Sequence, residues 1–402
     1  MEISIIIIPV EGYDNQDERL EEIVSLTESA GAKVANHIFV KINKIVPSTY
    51  IGSGKTEEIK QLCASEGSDL VVFDGDLSPS QTINLSDALD GIKVVDRTTL
   101  ILDIFASRAR SSEGKLQVEL AQLKYIYPRL KGKGAALSRL GGGIGTRGPG
   151  ESKLESDRRH IRRRINYLEE RLLQLEKRRT LQVERRNKKG IFKVALVGYT
   201  NTGKSTLLNA LTGSQVLAEN KLFATLDPTV KKLQLNNFSV LLSDTVGFIK
   251  NIPTTLIEAF KSTLETAVEA DLILIVCDAL SNWPAQLDTT NLMLDELKAT
   301  APRIIVFNKC ESINDFSTYP SNAVFISAKE KKGLEGLELR ISTFFEANYF
   351  KDTYLLPYSK LSDVHSLKNY FEYYNVEYFD NYIKLDFVVK NSCKTKIEIL
   401  KK

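Results

Sequence analysis

The residues Gly198-Tyr-Thr-Asn-Thr-Gly203-Lys204-Ser205 follow an apolar run, Val194 to Val197, and precede a helix-forming run, Thr206 to Leu211. They fit G-x-x-x-x-G-K-[ST] at each fixed position. The glycines let the backbone curl so that successive N–H groups point inward at phosphates. Lys204 can reach the β- and γ-phosphates, and the Ser205 hydroxyl can ligate Mg²⁺. The helix that follows adds its positive end to the same anion site. The chemistry implied is binding of a nucleoside triphosphate and metal-assisted transfer of its terminal phosphoryl group.

A phosphate loop alone does not choose the base. After the apolar Val240–Leu242 comes Asp244-Thr-Val-Gly247, a D-x-x-G arrangement. Its Asp can hold Mg²⁺ through water, and its Gly N–H can sense the γ-phosphate. The run Arg303–Phe307 ends in Asn308-Lys309-Cys310-Glu311, and Ala323–Ile326 ends in Ser327-Ala328-Lys329. These match the N-K-x-D and S-A-K elements that read guanine, in the right order and at strand ends, where doubly wound sheets bind ligands. The expected ligands are GTP or GDP with Mg²⁺. The nucleotide-binding set is Gly198, Asn201, Gly203, Lys204, Ser205, Thr206, Asp244, Gly247, Asn308, Lys309, Glu311, Ser327, Ala328 and Lys329.

Between the first two motifs lies Leu222-Phe-Ala-Thr225-Leu-Asp-Pro-Thr229. A switch threonine must cap the γ-phosphate and complete the Mg²⁺ shell, in a loop that orders only with triphosphate bound. Thr225 is the choice and Thr229 the fallback. Catalysis is then assigned to Lys204, Thr225 and Gly247, and metal ligation to Ser205, Thr225 and Asp244.

Three positions depart from the simplest pattern. Glu311 stands where an Asp is expected, and its extra methylene moves the carboxylate by about 1.5 Å unless the loop adjusts. Accommodation is the favoured reading, with weaker affinity or relaxed base selectivity as the other. Phe248 follows the D-x-x-G glycine, where a Gln could orient water; a phenyl ring cannot, so unaided hydrolysis should be slow. Asn201 either recruits K⁺ beside the phosphates or simply tolerates a turn.

These motifs need positioning elements, and the 402 residues leave room for several domains. Four segments are expected: an N-terminal parallel α/β domain at 1–107, a basic antiparallel helical hairpin at 108–190, a P-loop GTPase domain with a doubly wound sheet at 191–349, and a small C-terminal α+β appendage at 350–402. In the first, Ser4–Ile8, Ala32–Phe39, Leu70–Phe73 and Lys93–Val95 read as strands, with helices between them. Gly52-Ser-Gly-Lys55-Thr resembles the end of a phosphate loop but lacks the earlier glycine and the buried strand. Leu116, Leu120, Leu123 and Tyr127 form one helical seam; Ile161, Ile165, Leu168, Leu172 and Leu175 form a second. The glycine-rich stretch between them should be a mobile loop at the hairpin tip.

Charge is strongly segregated. Residues 108–190 hold 23 Lys and Arg against 9 Asp and Glu, which leaves the rest of the chain with 31 basic against 42 acidic residues. At this density phosphate binding outweighs a merely solvated helix face. Lys131, Lys133, Arg139 and Arg147, on the glycine scaffold, are the expected RNA contacts. The four cysteines lack C-x-x-C spacing, no apolar run approaches a membrane span, and the N-terminus is not a signal peptide. A cytoplasmic monomer without a membrane span is expected.

Taken together, Gly141-Gly-Gly-Ile-Gly-Thr-Arg-Gly-Pro-Gly-Glu-Ser-Lys-Leu-Glu-Ser-Asp-Arg-Arg159, Tyr50-Ile-Gly-Ser-Gly-Lys55, Phe223-Ala-Thr-Leu-Asp-Pro228 and Asp244-Thr-Val-Gly-Phe248 resemble the HflX family of ribosome-associated GTPases. The likeness covers roughly residues 1–349 and weakens in the appendage. It implies a GTPase stimulated by the large ribosomal subunit and its rRNA, splitting or rescuing stalled ribosomes under stress, with no DNA partner. The alternatives are a ribosome-assembly GTPase, an RNA-remodelling protein with a further ATP site in its N-terminal domain, and an adaptor with a vestigial nucleotide site.

Overall fold

A strand covered on both faces reads as an unbroken apolar run, and Ile5, Ile6, Ile7 and Ile8 are all fully buried in β1 (Ile3–Val10). The computed structural model describes residues 1–10, 16–130, 149–187, 192–214, 222–223, 229–235, 239–249 and 266–401; for 149–154, 178–187 and 392 it gives the backbone only. The chain forms two compact units. One comprises Met1–Leu173, Glu219–Asp227 and Ile249–Lys261; the other comprises Gln174–Ala218, Pro228–Phe248 and Ser262–Lys402.

In the first unit, β1 is one of the two inner strands of a four-stranded parallel sheet of order β2-β1-β3-β4, with β2 Lys33–Lys41, β3 Leu70–Phe73 and β4 Lys93–Asp96. Helices α1 (Gln16–Ser29), α2 (Ser53–Glu66) and α3 (Pro79–Ala88) connect the strands, and α4 (Arg97–Arg108) follows β4 directly. Ser78 caps α3 in a full capping box with Gln81, and Asp96 caps α4 through the Thr99 N–H.

The carboxyl ends of β1, β3 and β4 carry a buried ionic cluster that sequence patterning does not reveal. Asp74 accepts from Arg19 at 2.7 Å and from Arg97 at 2.7 Å, and Arg97 also pairs with Glu22. The Tyr125 hydroxyl donates to Asp96, and the Arg129 guanidinium lies over the Tyr125 ring. Charges of both signs meet here, which is the condition for keeping ions out of water. Lys55, in the loop-like Gly52–Thr56 segment, lies in the first turns of α2 and pairs with Glu58 at 2.6 Å.

Helices α5 (Ser112–Arg129) and α6 (Pro149–Asn187) carry the two apolar seams of the basic segment. Arg164 forms a fork with Glu119 at 2.7 and 2.8 Å, and Lys124 pairs with Glu169 at 2.8 Å, so polar ties link the two helices. On α6, Leu168 is fully buried, whereas Arg159, Arg162 and Arg163 are exposed. On α5 the most buried apolar side chains are Val118, Leu120 and Ala121: Leu120 of the expected seam is buried, Leu116 and Leu123 are half-buried, and the stripe extends to Val118 and Ala121. The expected RNA contacts Lys131, Lys133, Arg139 and Arg147 lie outside the described residues.

Leu222 and Phe223 also belong to the first unit. Phe223 packs edge-to-face on Phe105 of α4, with centroids 4.7 Å apart, and the Leu222 N–H donates to Ser29 Oγ at 3.2 Å.

The second unit holds a six-stranded sheet of order β10-β9-β8-β5-β7-β6. Its strands are β5 Phe192–Val197, β6 Thr229–Gln234, β7 Ser239–Asp244, β8 Leu272–Asp278, β9 Arg303–Asn308 and β10 Val324–Phe325. Every pairing is parallel except β6 with β7. The α/β class with parallel sheets, expected from the motif order, is the one found. Helices α7 (Lys204–Thr212), α8 (Trp283–Glu296) and α9 (Leu334–Asn348) join the strands. A three-stranded antiparallel sheet follows, of order β11-β13-β12, with β11 Tyr349–Leu356, β12 Phe371–Tyr378 and β13 Ile383–Lys390. It is continuous with the larger core: Phe192 stacks on Phe345 and meets the tilted ring of Tyr349, and Val388 joins the same buried cluster. No helix among the described residues is long and apolar enough to cross a membrane.

Candidate nucleotide site

The loop from β5 to α7 requires its glycines. Gly198 has φ +156°, and a Cβ there would lie 2.1 Å from the Val276 carbonyl oxygen of the neighbouring strand. Gly203 has φ +88°, and its Cβ would meet Asn308 Nδ2 at 2.3 Å. Asn201 is exposed in the left-handed region at φ +62°, a conformation Asn tolerates well.

Lys204 opens α7 with its side chain buried. Its ammonium donates to the Tyr199 carbonyl at 2.7 Å and to the Gly198 carbonyl at 3.1 Å. Burial pulls its pKa down to about 8, against a smaller upward pull from Asp244. Ser205 Oγ donates to Asp244 Oδ2 at 2.5 Å. This hydroxyl and carboxylate supply the hard oxygen donors that suit Mg²⁺, which binds through one or two such groups plus phosphate and water. Thr206 is half-buried in the same turn.

Thr245 anchors the D-x-x-G segment, its buried hydroxyl donating to the Leu196 carbonyl at 2.7 Å. Gly247 then presses on the phosphate loop, where a Cβ would lie 2.8 Å from Thr200 Cα. The Phe248 N–H donates to Gly198 O at 3.0 Å, and the Thr200 N–H donates to Phe248 O at 2.7 Å, a short parallel bridge. The Phe248 ring is buried, so the residue in the water-orienting position spends its side chain on packing.

At the base-reading side, Asn308 holds two loops together: Nδ2 donates to Thr202 O at 2.8 Å, and Oδ1 accepts from the Ala328 N–H at 2.9 Å. Lys309, at φ +65°, pairs with Asp278 Oδ2 at 2.7 Å. The Ser327 hydroxyl donates to the Glu311 carboxylate and accepts from the Glu330 N–H at 3.1 Å. That hydrogen bond is the main reason the Glu311 carboxyl sits below its usual range. The carboxylate itself remains exposed, as does Lys329.

The structure thus gathers Gly198, Gly203, Lys204, Ser205, Asp244, Gly247, Asn308, Glu311, Ser327 and Ala328 around one loop and the strand ends beside it. Thr225 lies outside the described residues, and the fallback Thr229 is the half-buried first residue of β6.

Family models match three consecutive stretches: GTP-binding GTPase N-terminal at residues 17–106, GTP-binding GTPase Middle Region at 108–186, and 50S ribosome-binding GTPase at 193–309. The GTPase HflX of Caldanaerobacter subterraneus subsp. tengcongensis is 50% identical over 370 residues, covering 90% of this chain and 85% of that protein. The chain belongs to the HflX family of GTPases.

Within that family, the GTPase HflX of Alkalihalophilus pseudofirmus is 50% identical, covering 82% of this chain and 79% of its own. That of Escherichia coli is 40% identical, covering 86% and 83%. A GTP-binding protein from Sulfolobus solfataricus, solved in complex with GDP, is 26% identical at a TM-score of 0.48, covering 85% of this chain and 98% of that one. As an HflX-family GTPase the chain binds guanine nucleotide and hydrolyses GTP. Sequence reasoning missed Asp278 as the partner of Lys309 and the Phe248–Thr200 bridge. Both join elements far apart in the chain, and no local spacing signals them.

Proposed function

We propose that this HflX-family GTPase is a nucleotide-gated switch acting on the large ribosomal subunit, where it splits or rescues stalled ribosomes under stress. The observation that carries this reading is the burial of Phe248. With that side chain packed inside, the attacking water is left to another group or to a partner; in this reading the partner positions it, and turnover waits for the partner. The exposed arginines of α6 offer the cationic surface such a partner would meet, and the model matched at 193–309 describes a 50S ribosome-binding GTPase.

In this reading Lys204 and the loop amides hold the phosphates, and Ser205 and Asp244, with Thr225, hold Mg²⁺. The ion would neutralise charge on the phosphates. Gly247 senses the γ-phosphate, while Asn308, Lys309, Glu311 and Ser327–Lys329 select guanine. Asn201 supports a K⁺ near the phosphates. Lys131, Lys133, Arg139 and Arg147 contact rRNA, and the protein works as a cytoplasmic monomer.

The test is GTP turnover at physiological potassium, with and without purified large subunits, with ATP as competitor. Strong stimulation with GTP preferred is the expected result. No stimulation by mature subunits, but stimulation by immature particles, would replace this reading with ribosome assembly. Equal use of ATP would point to a second nucleotide site.

A further inference from the structure

The C-terminal three-stranded sheet has two unlike ends. At one end Tyr349, Tyr373 and Val388 are absorbed into the core around Phe192 and Phe345. At the other, Leu356 pairs with Ile383 and the chain turns from β12 to β13. Around that turn Leu355, Tyr358, Tyr378, Phe379 and Tyr382 remain 38–65% exposed.

The aromatic side chains are ordered relative to one another. Phe379 and Tyr382 stack with centroids 4.9 Å apart and planes 13° apart, and Tyr358 stacks on Tyr378 at 6.3 Å and 24°. The Tyr358 hydroxyl donates to Phe379 O at 2.7 Å, and the Phe379 N–H donates to Tyr382 O at 3.0 Å, closing the turn. A lone exposed aromatic needs no explanation, but a pre-arranged cluster marks an interaction surface. Tyr residues suit such a surface, since fixing them costs little conformational entropy.

Charge decides what kind of partner fits. The tip and its flanks carry four carboxylates, Asp363, Glu377, Asp380 and Asp386, against two lysines, Lys360 and Lys384. Lys384 is already held by Glu377 at 3.1 Å and Asp386 at 3.2 Å, and Lys360 by Asp363 at 3.5 Å. Asp380, in the turn, makes no ion pair among the described residues. Platforms that stack nucleic-acid bases couple their aromatics to a cationic groove; here both described lysines are paired, and the excess charge among the described residues of the tip is negative.

We propose that this end of the sheet docks a basic, arginine-rich polypeptide segment of a partner protein. Guanidinium groups are well suited to it, because they stack on aromatic faces and pair with a carboxylate such as that of Asp380.

The test places a photo-crosslinking residue in the full-length chain by Tyr378→p-benzoylphenylalanine. Fluorescein-labelled octa-arginine is the probe, and oligouridylate the rival. Octa-arginine is expected to crosslink at this position. Asp380→Lys, a turn substitution that leaves the sheet hydrogen bonds in place, should cut the yield about fivefold, the scale of a contact or two of this kind. Affinity for GDP should not change, which shows that the variant is folded. The proposal is overturned if Asp380→Lys leaves the yield unaltered, or if oligouridylate crosslinks in place of the peptide. It is equally overturned if Tyr378→Ser turns a dimer into a monomer in sedimentation, since the surface would then belong to a second copy.

Discussion

Ser205 Oγ and Asp244 Oδ2 stand 2.5 Å apart, so the hydroxyl and carboxylate assigned to magnesium already face one another. The contact ties α7 to β7, so a substitution that keeps the size of the carboxylate but removes its charge tests the two properties apart. Asp244→Asn keeps a polar group of the same size but removes the negative charge. The expected outcome is a rise of at least about tenfold in the Mg²⁺ concentration for half-maximal GTP turnover. Affinity for fluorescent GDP in the presence of a chelator should move far less. Equal effects with and without magnesium would mean that Asp244 acts through packing alone.

Lys204 gives the site a pH dependence. Burial lowers its pKa to about 8, so near that pH half of the ammonium has lost its proton. Phosphate oxygens stabilise the protonated form, so the pKa in the complex lies higher than in the free protein. Nucleotide affinity should therefore be flat below pH about 8 and fall by up to tenfold per pH unit above it, until the pKa of the complex is reached. Titration of fluorescent GDP between pH 7 and 9.5 checks the sign. Lys204→Ala should bind weakly at every pH and lack the slope.

Glu311 tests how a longer carboxylate reads guanine. Ser327 holds one carboxylate oxygen, leaving the other for the base N–H groups. Glu311→Gln replaces an acceptor with a donor, so preference should move from GDP toward XDP by roughly tenfold or more, the weight of a charge-assisted hydrogen bond. Ser327→Ala should weaken GDP binding without creating that new preference. If Glu311→Gln left the GDP-to-XDP ratio unchanged, another group would be reading the base.

The phosphate loop, the D-x-x-G segment and the two base-reading motifs were legible because each is short and tied to a strand end. Gly198 and Gly203 could be named from spacing alone, although the clashes that require them, with Val276 and Asn308, come from distant parts of the chain. The Arg19–Asp74–Arg97–Glu22 cluster was invisible for the opposite reason. Its members are single charges scattered over about eighty residues, and only the parallel β1-β3-β4 arrangement brings them together. The extension of the α5 seam to Val118 and Ala121 has a similar origin. A helix that packs against α4 as well as α6 buries a wider stripe than a two-helix seam needs.

The contact between Phe223 and Phe105 leads to a last expectation. Phe223 sits two residues before Thr225, in the loop expected to order only around a triphosphate. It is buried against α4 at φ +54°, a left-handed backbone that a bulky aromatic adopts only when its surroundings hold it there. A loop fastened at this point is less free to rearrange, and the free energy of unfastening is subtracted from triphosphate binding. GDP makes no such demand. Phe223→Ala should therefore tighten binding of a non-hydrolysable GTP analogue by about three- to tenfold and leave GDP affinity nearly unchanged. Phe105→Leu, which keeps most of the volume in α4 but loses the edge-to-face contact, should shift the ratio in the same direction by a smaller factor. The two dissociation constants, measured side by side for each variant, decide the matter. A parallel change in both would mean that Phe223 supports the fold generally, and a selective loss of GTP-analogue affinity would mean that the aromatic contact favours the triphosphate state.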